Sequence, residues 1–324
     1  MKKDLTKITD LGQQEIMEIV GMAFRYKNGE LGIGESGQVL KGKVVAMVFE
    51  KPSLRTKVAF EVATAKLGGI PVYLTSGQIM ASGNNEKGRE SIPDIAKNLE
   101  RFADLILARV YSHSTIQEIG DAVKIPLINA LCDKHHPTQA LADLMAIIWH
   151  KCGGKFDVEK LRKMKVAFVG DGNNVATSLM QICAMVGINF SVASPKGYEI
   201  SQEAYEEIYE QKLANEVSVE FCENPAEAVE NADVIYTDTF ISMGEEHLKV
   251  EKMKAFHGYQ VNKSLLDFAK TDAIFMHCLP AHRGEEVTDE VMDSKQSVIF
   301  DQAECRMHIA KALLTFYLQK IGQI

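Results

Sequence analysis

Short apolar, β-branched runs, each followed by a polar turn and then by a stretch of helical period, recur along most of this chain. That alternation constrains the fold more than any other feature. Val44–Val48 is the first run, and Pro71–Leu74, Leu105–Val110 and Pro126–Asn129 follow it. After Gly153-Gly154 the pattern restarts with Val166–Val169, Phe190–Ala193, Val234–Tyr236, Ala273–Met276 and Val298–Phe300. Runs this short and this apolar read as strands buried on both faces. Between them lie helical stretches. A first helix capped by Thr9-Asp10 carries Leu11, Ile16, Ile19, Val20 and Phe24 on one face. A second helix, closing at Gly68-Gly69, carries Leu54, Val58, Val62 and Ala65. Others are expected over Ser91–Phe102, from Ala140 to about His150, up to Gly187, and over Ala303–Ile321. Strands alternating with helices predict parallel sheets with right-handed crossovers. The expected fold is α/β, with two doubly wound parallel-sheet domains over residues 1–150 and 151–302. Such sheets bind ligands beyond the carboxyl ends of their strands. The polar clusters fall at those ends, which predicts a cleft between the domains.

The clearest cluster is Pro52-Ser53-Leu54-Arg55-Thr56, the turn between the first strand and its helix. A helix start offers N–H groups without intrahelical partners at the positive end of the helix dipole, a ready anion site. Two hydroxyls and a guanidinium at the same turn suit phosphate oxygens; an ordinary capped helix with a surface arginine would look the same in isolation. Thr75–Arg89 is long, polar and rich in glycine, which marks a functional loop. Net charge is −8 and no basic stripe is interleaved with aromatics, so nucleic acid is not an expected partner. Positive charge for anionic substrates must therefore be concentrated locally. No apolar run reaches the ~20 residues that span a bilayer, and the N-terminus does not read as a signal peptide, so no membrane partner is expected. Six cysteines without a C-x-x-C pair point to free thiols in a reducing compartment, and the expected location is cytoplasmic.

Other candidates are ambiguous alone. Gly170-x-Gly172 follows a strand, but Val175 stands where a dinucleotide fingerprint needs its third glycine, and the next strand ends in Ser194-Pro195 without an acidic residue. Asn173 and Asn174 at that helix start suit a carboxylate or an ammonium group. Adjacent His135 and His136 have no metal-ligand spacing, so no metal is expected; one histidine with Gln139 suits a carbonyl oxygen. Arg109 at a strand end is read equally well as structural or functional. Cys278, in His277-Cys278-Leu279-Pro280, reads by default as a buried inert thiol, and Asp238 as a turn carboxylate.

Taken together, F-x-x-x-S-x-R-T, A-R-V-Y, H-P-x-Q, G-D-G-N-N, D-x-x-x-S-M-G, H-C-L-P and a late E-x-R closely resemble the ornithine carbamoyltransferases in identity, order and spacing. The resemblance runs from about Val44 to the C-terminus. It implies transfer of a carbamoyl group from carbamoyl phosphate to the δ-amino group of L-ornithine, giving citrulline and phosphate, within arginine metabolism. It also implies a first domain for carbamoyl phosphate, a second for ornithine, and a last helix, 303–324, that packs back on the first domain. Ser53, the Leu54 backbone, Arg55 and Thr56 would hold the phosphate, with Gln78 from the glycine-rich loop. Arg109, His136, Gln139 and Arg306 would hold the carbamoyl group, beside Cys278 and Leu279. Asn174, Asp238, Ser242 and Met243 would bind ornithine. The residues implied to act on the reacting atoms are Arg55, Arg109, His136, Asp238 and Cys278, with neither metal nor cofactor. A homotrimer is implied as well. Leu54, Lys57 and Cys305 depart from the family's usual threonine, arginine and asparagine, and Gln78–Arg89 is longer than the family's loop. A carbamoyltransferase for another amine, such as putrescine or N-acetylornithine, is the alternative; Ser242-Met243-Gly244 favours ornithine.

Overall fold

Helix α1 (Gln13–Lys27) precedes strands β1 (Val44–Phe49), β2 (Ile70–Thr75), β3 (Leu105–Arg109) and β4 (Leu127–Leu131), which are joined through α2 (Leu54–Lys66), α3 (Ile92–Leu99) and α4 (His113–Ala122). Helix α5 (Pro137–Cys152) leads to β5 (Lys165–Val169), α6 (Asn174–Val186), β6 (Asn189–Ala193), β7 (Val219–Cys222), β8 (Val234–Thr237), β9 (Ile274–His277) and the closing helix α7 (Ile299–Lys320). This computed structural model describes residues 4–32, 34, 37–75, 90–242 and 244–324. It divides into two compact units, Met1–Met145 with Glu304–Ile324, and Ala146–Ala303. The dividing points fall inside α5 and α7, because α5 runs unbroken to Cys152.

Each unit holds one wholly parallel sheet, ordered β2-β1-β3-β4 in the first and β7-β6-β5-β8-β9 in the second. The winding direction reverses between β1 and β3 in one sheet and between β5 and β8 in the other. These are the two topological switch points, where open α/β sheets bind ligands. Val45–Phe49 and all of β3 are buried, which accounts for their unbroken apolar character. In the first unit, α7 is fastened to α1 by a Tyr26–Thr315 hydroxyl pair at 2.8 Å and by Lys27–Glu304 and Lys320–Glu15 ion pairs at 2.9 and 2.7 Å.

Several local expectations are corrected. The first helix is capped at Gly12, not Asp10: the Asp10 carboxylate accepts from the Thr6 and Lys7 amides and closes the turn before it. Helix α2 forms, but its buried face is Thr56, Ala59, Phe60, Ala63 and Thr64, while Leu54 is 72% and Val58 46% exposed. Apolar residues recur at helical spacing on both faces of α2, so periodicity could not choose between them. Val298–Phe300 is not a strand: Val298 donates once to the Phe275 carbonyl, and α7 begins at the next residue. The edge strand β7 was missed because Val219-Glu220-Phe221-Cys222 is short and half exposed, with no continuous apolar run.

Candidate active site

In the first unit the anion turn is built as its sequence suggests. Ser53 adopts an extended backbone and caps α2, its hydroxyl accepting from the Thr56 N–H at 3.3 Å. Arg55 stands on the first turn of that helix, half-buried. Thr56 is fully buried, and its hydroxyl accepts from Nη2 of Arg306. Nη1 of the same guanidinium donates to Gln139 Oε1 at 2.5 Å, and the Gln139 amide donates in turn to Asp143 Oδ1 at 2.8 Å. One arginine near the start of α7 thus joins the first turns of α2 and α5. Gln139 lies inside α5, which starts at Pro137, and not in the loop before it. Asp143, four residues on along the same helix face, fixes the Gln139 amide; the i,i+4 spacing was the available signal for it.

His136 is buried, with Nδ1 3.4 Å from the Thr138 hydroxyl. Burial holds its pKa well below the usual histidine range, and the Arg306 and Arg109 charges press it the same way, so the ring is neutral near pH 7. Arg109 ends β3 and is buried. Lys51, whose ammonium sits 4.5 Å from the centre of the Tyr111 ring, has its pKa lowered by burial and then by Arg109. Positive charge is therefore concentrated here in a chain that is acidic as a whole. Behind this loop, His135 packs edge-on against His113 with ring centres 4.9 Å apart. Burial, with His113 second, lowers the His135 pKa to about 4. Gln78 lies outside the described residues.

In the second unit, Gly172 is required by close approach: a Cβ there would stand 2.3 Å from backbone atoms of Glu199 and Ile200. Asn173 caps α6, accepting from the Val175 and Ala176 amides at 2.9 and 3.1 Å, and its own amide donates to Asp238 Oδ2 at 3.0 Å. Oδ1 of Asp238 accepts from the Thr239 N–H at 2.8 Å and from the Cys278 thiol at 3.0 Å. Asp238 is buried, and each of these partners is neutral. Asn174, the first residue of α6, stands beside the cap; the residue that grips Asp238 is Asn173, which the sequence offered only as one of a pair. Leu279 has a left-handed backbone, φ 62°, and its N–H donates to His277 Nδ1 at 2.8 Å. Nε2 of the same ring faces Glu286 Oε1 at 3.1 Å in a fully buried pair. Ser242 donates its N–H to Glu245 at 3.2 Å. Met243 lies outside the described residues.

The structure thus joins Ser53, Thr56, Gln139 and Arg306 in one hydrogen-bonded chain, with His136 in the fields of Arg109 and Arg306. It joins Asp238 and Cys278 in another. Comparison with known proteins finds two family models that match the chain. A model for the carbamoyl-P binding domain of aspartate/ornithine carbamoyltransferase matches residues 3–148, and one for the Asp/Orn binding domain matches residues 162–317. The ornithine carbamoyltransferase of Bacillus subtilis is 44% identical over 319 residues, 98% of this chain and 94% of that protein. The solved ornithine carbamoyltransferase of Pyrococcus furiosus superposes with TM-score 0.87 at 44% identity, covering 96% of this chain and 95% of that one. An anabolic ornithine carbamoyltransferase of Campylobacter jejuni gives TM-score 0.87 at 35% identity over 99% and 100% of the two chains.

Proposed function

The chain belongs to the aspartate/ornithine carbamoyltransferase family, and from that premise we propose that it transfers the carbamoyl group of carbamoyl phosphate to the δ-amino group of L-ornithine, in the biosynthetic direction. The single observation that carries the acceptor half is Asp238, a buried carboxylate whose hydrogen-bond partners among the described residues, Asn173, Thr239 and Cys278, are neutral. A buried negative charge without a cation is costly, and an ammonium group completes it. Held there, ornithine's amine, with an ordinary pKa near 10, must lose a proton to attack, and the oxygens of the departing phosphate accept it. Asn174, Ser242 and Met243 engage the rest of the amino acid.

In the carbamoyl half, Ser53, the Leu54 backbone, Arg55 and the α2 N-terminus hold the phosphate, with Gln78. Thr56, accepting from Arg306, keeps its own hydroxyl proton to donate. With Arg109 and neutral His136 it stabilises the oxygen of the tetrahedral intermediate, while Arg306 and Gln139 fix the carbamoyl group. Charge leaves on the phosphate, opposite Arg55. Positioning and electrostatics supply the rate. The test is transfer from carbamoyl phosphate to ornithine, putrescine, N-acetylornithine, lysine and aspartate. Ornithine is expected to be preferred at least a hundredfold, about 3 kcal/mol. Preference for putrescine would reject the acceptor assignment and keep the phosphate site.

The proposed assembly is a homotrimer. Its support is a set of exposed aliphatic side chains: Leu54 and Val58 on α2, and Ile70 and Val72 on the sheet-edge strand β2. Sedimentation equilibrium should give three times the 35.9 kDa chain mass, and Val58→Asp should shift it toward monomer. A monomeric wild type would end this reading. Six free cysteines support a reducing, cytoplasmic location, and among the described residues no helix is long and apolar enough to cross a membrane.

A further inference from the structure

Lys252 is almost fully buried, yet none of the motifs above includes it. Its ammonium donates to Asp171 Oδ2 and to Glu245 Oε2, both at 2.6 Å, and lies 5.5 Å from the centre of the Tyr198 ring. An ammonium out of water loses several kcal/mol of solvation unless it is paired. Here two carboxylates pair it, and they raise its pKa against the effect of burial. The two carboxylates belong to different loops. Asp171 lies between Gly170 and Gly172, two residues before Asn173, which grips Asp238. Glu245 follows the Ser242 turn: its Oε2 accepts the Ser242 N–H at 3.2 Å, and its own N–H donates to the Ser242 carbonyl at 2.9 Å. The same Glu245 oxygen thus receives both the Lys252 ammonium and the Ser242 amide. Asp171 is pushed up to about 6, first by burial, with Lys252 opposing and Glu245 and Asp238 adding like charge. Two carboxylates therefore share one cation, and the loops around Asp171 and Glu245 would repel each other without it.

We propose that Lys252 is a positioning residue for the amino-acid acceptor: by clamping Glu245 to Asp171 it sets the spacing between Ser242 and Asp238. The inference rests on the reading that gives Ser242 and Asp238 to ornithine. It names a specificity element beyond that reading, because loosening the clamp should weaken the acceptor alone. The carbamoyl residues Ser53, Arg55, Thr56, Arg109, His136, Gln139 and Arg306 belong to the other unit.

Glu245→Ala is the decisive variant, since it opens the clamp from its half-exposed side and leaves Lys252 paired with Asp171. The KM for ornithine is expected to rise about tenfold, the usual effect of losing a charge-assisted hydrogen bond. The KM for carbamoyl phosphate and kcat should stay within twofold. Lys252→Met should raise the ornithine KM at least as far, Lys252→Arg should recover most of it, and Glu245→Ala added to Lys252→Met should add little, because both act through one contact. An unchanged ornithine KM in folded Glu245→Ala, equal effects on both substrates, or a lowered Tm with normal kinetics would each overturn the proposal. Wild-type protein that does not carbamoylate ornithine would overturn the underlying reading first, before any variant is compared.

Discussion

Arg55→Ala is expected to lower kcat/KM for carbamoyl phosphate about a thousandfold while the protein stays folded. The guanidinium stands on the first turn of α2, where the helix end already favours an anion. Removing one donor aimed at developing negative charge typically costs about 3–4 kcal/mol of transition-state stabilisation. Alanine is the best helix former, and the Ser53–Thr56 cap that starts α2 does not involve Arg55. Steady-state kinetics beside a thermal melt separate the two effects, and near-normal turnover by a folded variant would remove Arg55 from the phosphate site.

Asp238→Asn should be nearly as damaging, on the other substrate. The substitution keeps size and shape but removes the buried charge, and it turns one acceptor oxygen into a donor facing either the Asn173 amide or the Thr239 N–H and Cys278 thiol. An unmatched donor pair costs about 1–3 kcal/mol locally, and the lost attraction for an ammonium adds to it. A fall of about 10²–10³ in kcat/KM for ornithine is expected, with carbamoyl phosphate binding unchanged in equilibrium titration. A variant with a normal ornithine KM would show that Asp238 is structural.

How legible this was in the sequence varies from residue to residue. The α/β class was written in runs such as Val44–Phe49 and Val166–Val169, since strands buried on both faces admit little besides apolar residues. Strand ends could be located, and Ser53, Arg109, Asp238 and Cys278 sit at or just past them. What the sequence left open was which side of an element is covered. Leu54 and Val58 look like core by spacing, yet one chain leaves them bare. The supporting residues were also out of reach. Lys252 acts through Asp171, 81 positions away in the chain. No local pattern encodes such a pairing. The metal-free, cofactor-free reading came from the family resemblance and from the lack of ligand spacing, and the glycines of Gly170-Asp171-Gly172 gained their meaning only once Glu199 and Ile200 were seen against Gly172.

The neutral imidazole beside the two arginines has a thermodynamic consequence for the whole chain. His136 is held well below its ordinary pKa, His135 sits at about 4, and burial lowers His113 and His308 as well. In the unfolded chain all four would titrate near 6.5. As pH falls through about 6.5, the unfolded state therefore gains protons that the native state refuses, and stability falls with it, for His135 down to about pH 4. The contribution is fully present above the unfolded value and is lost on acidification. Acid lability is accordingly coupled to the loop that carries His135 and His136: the environment that keeps a hydrogen-bonding imidazole uncharged also makes unfolding a proton-consuming reaction.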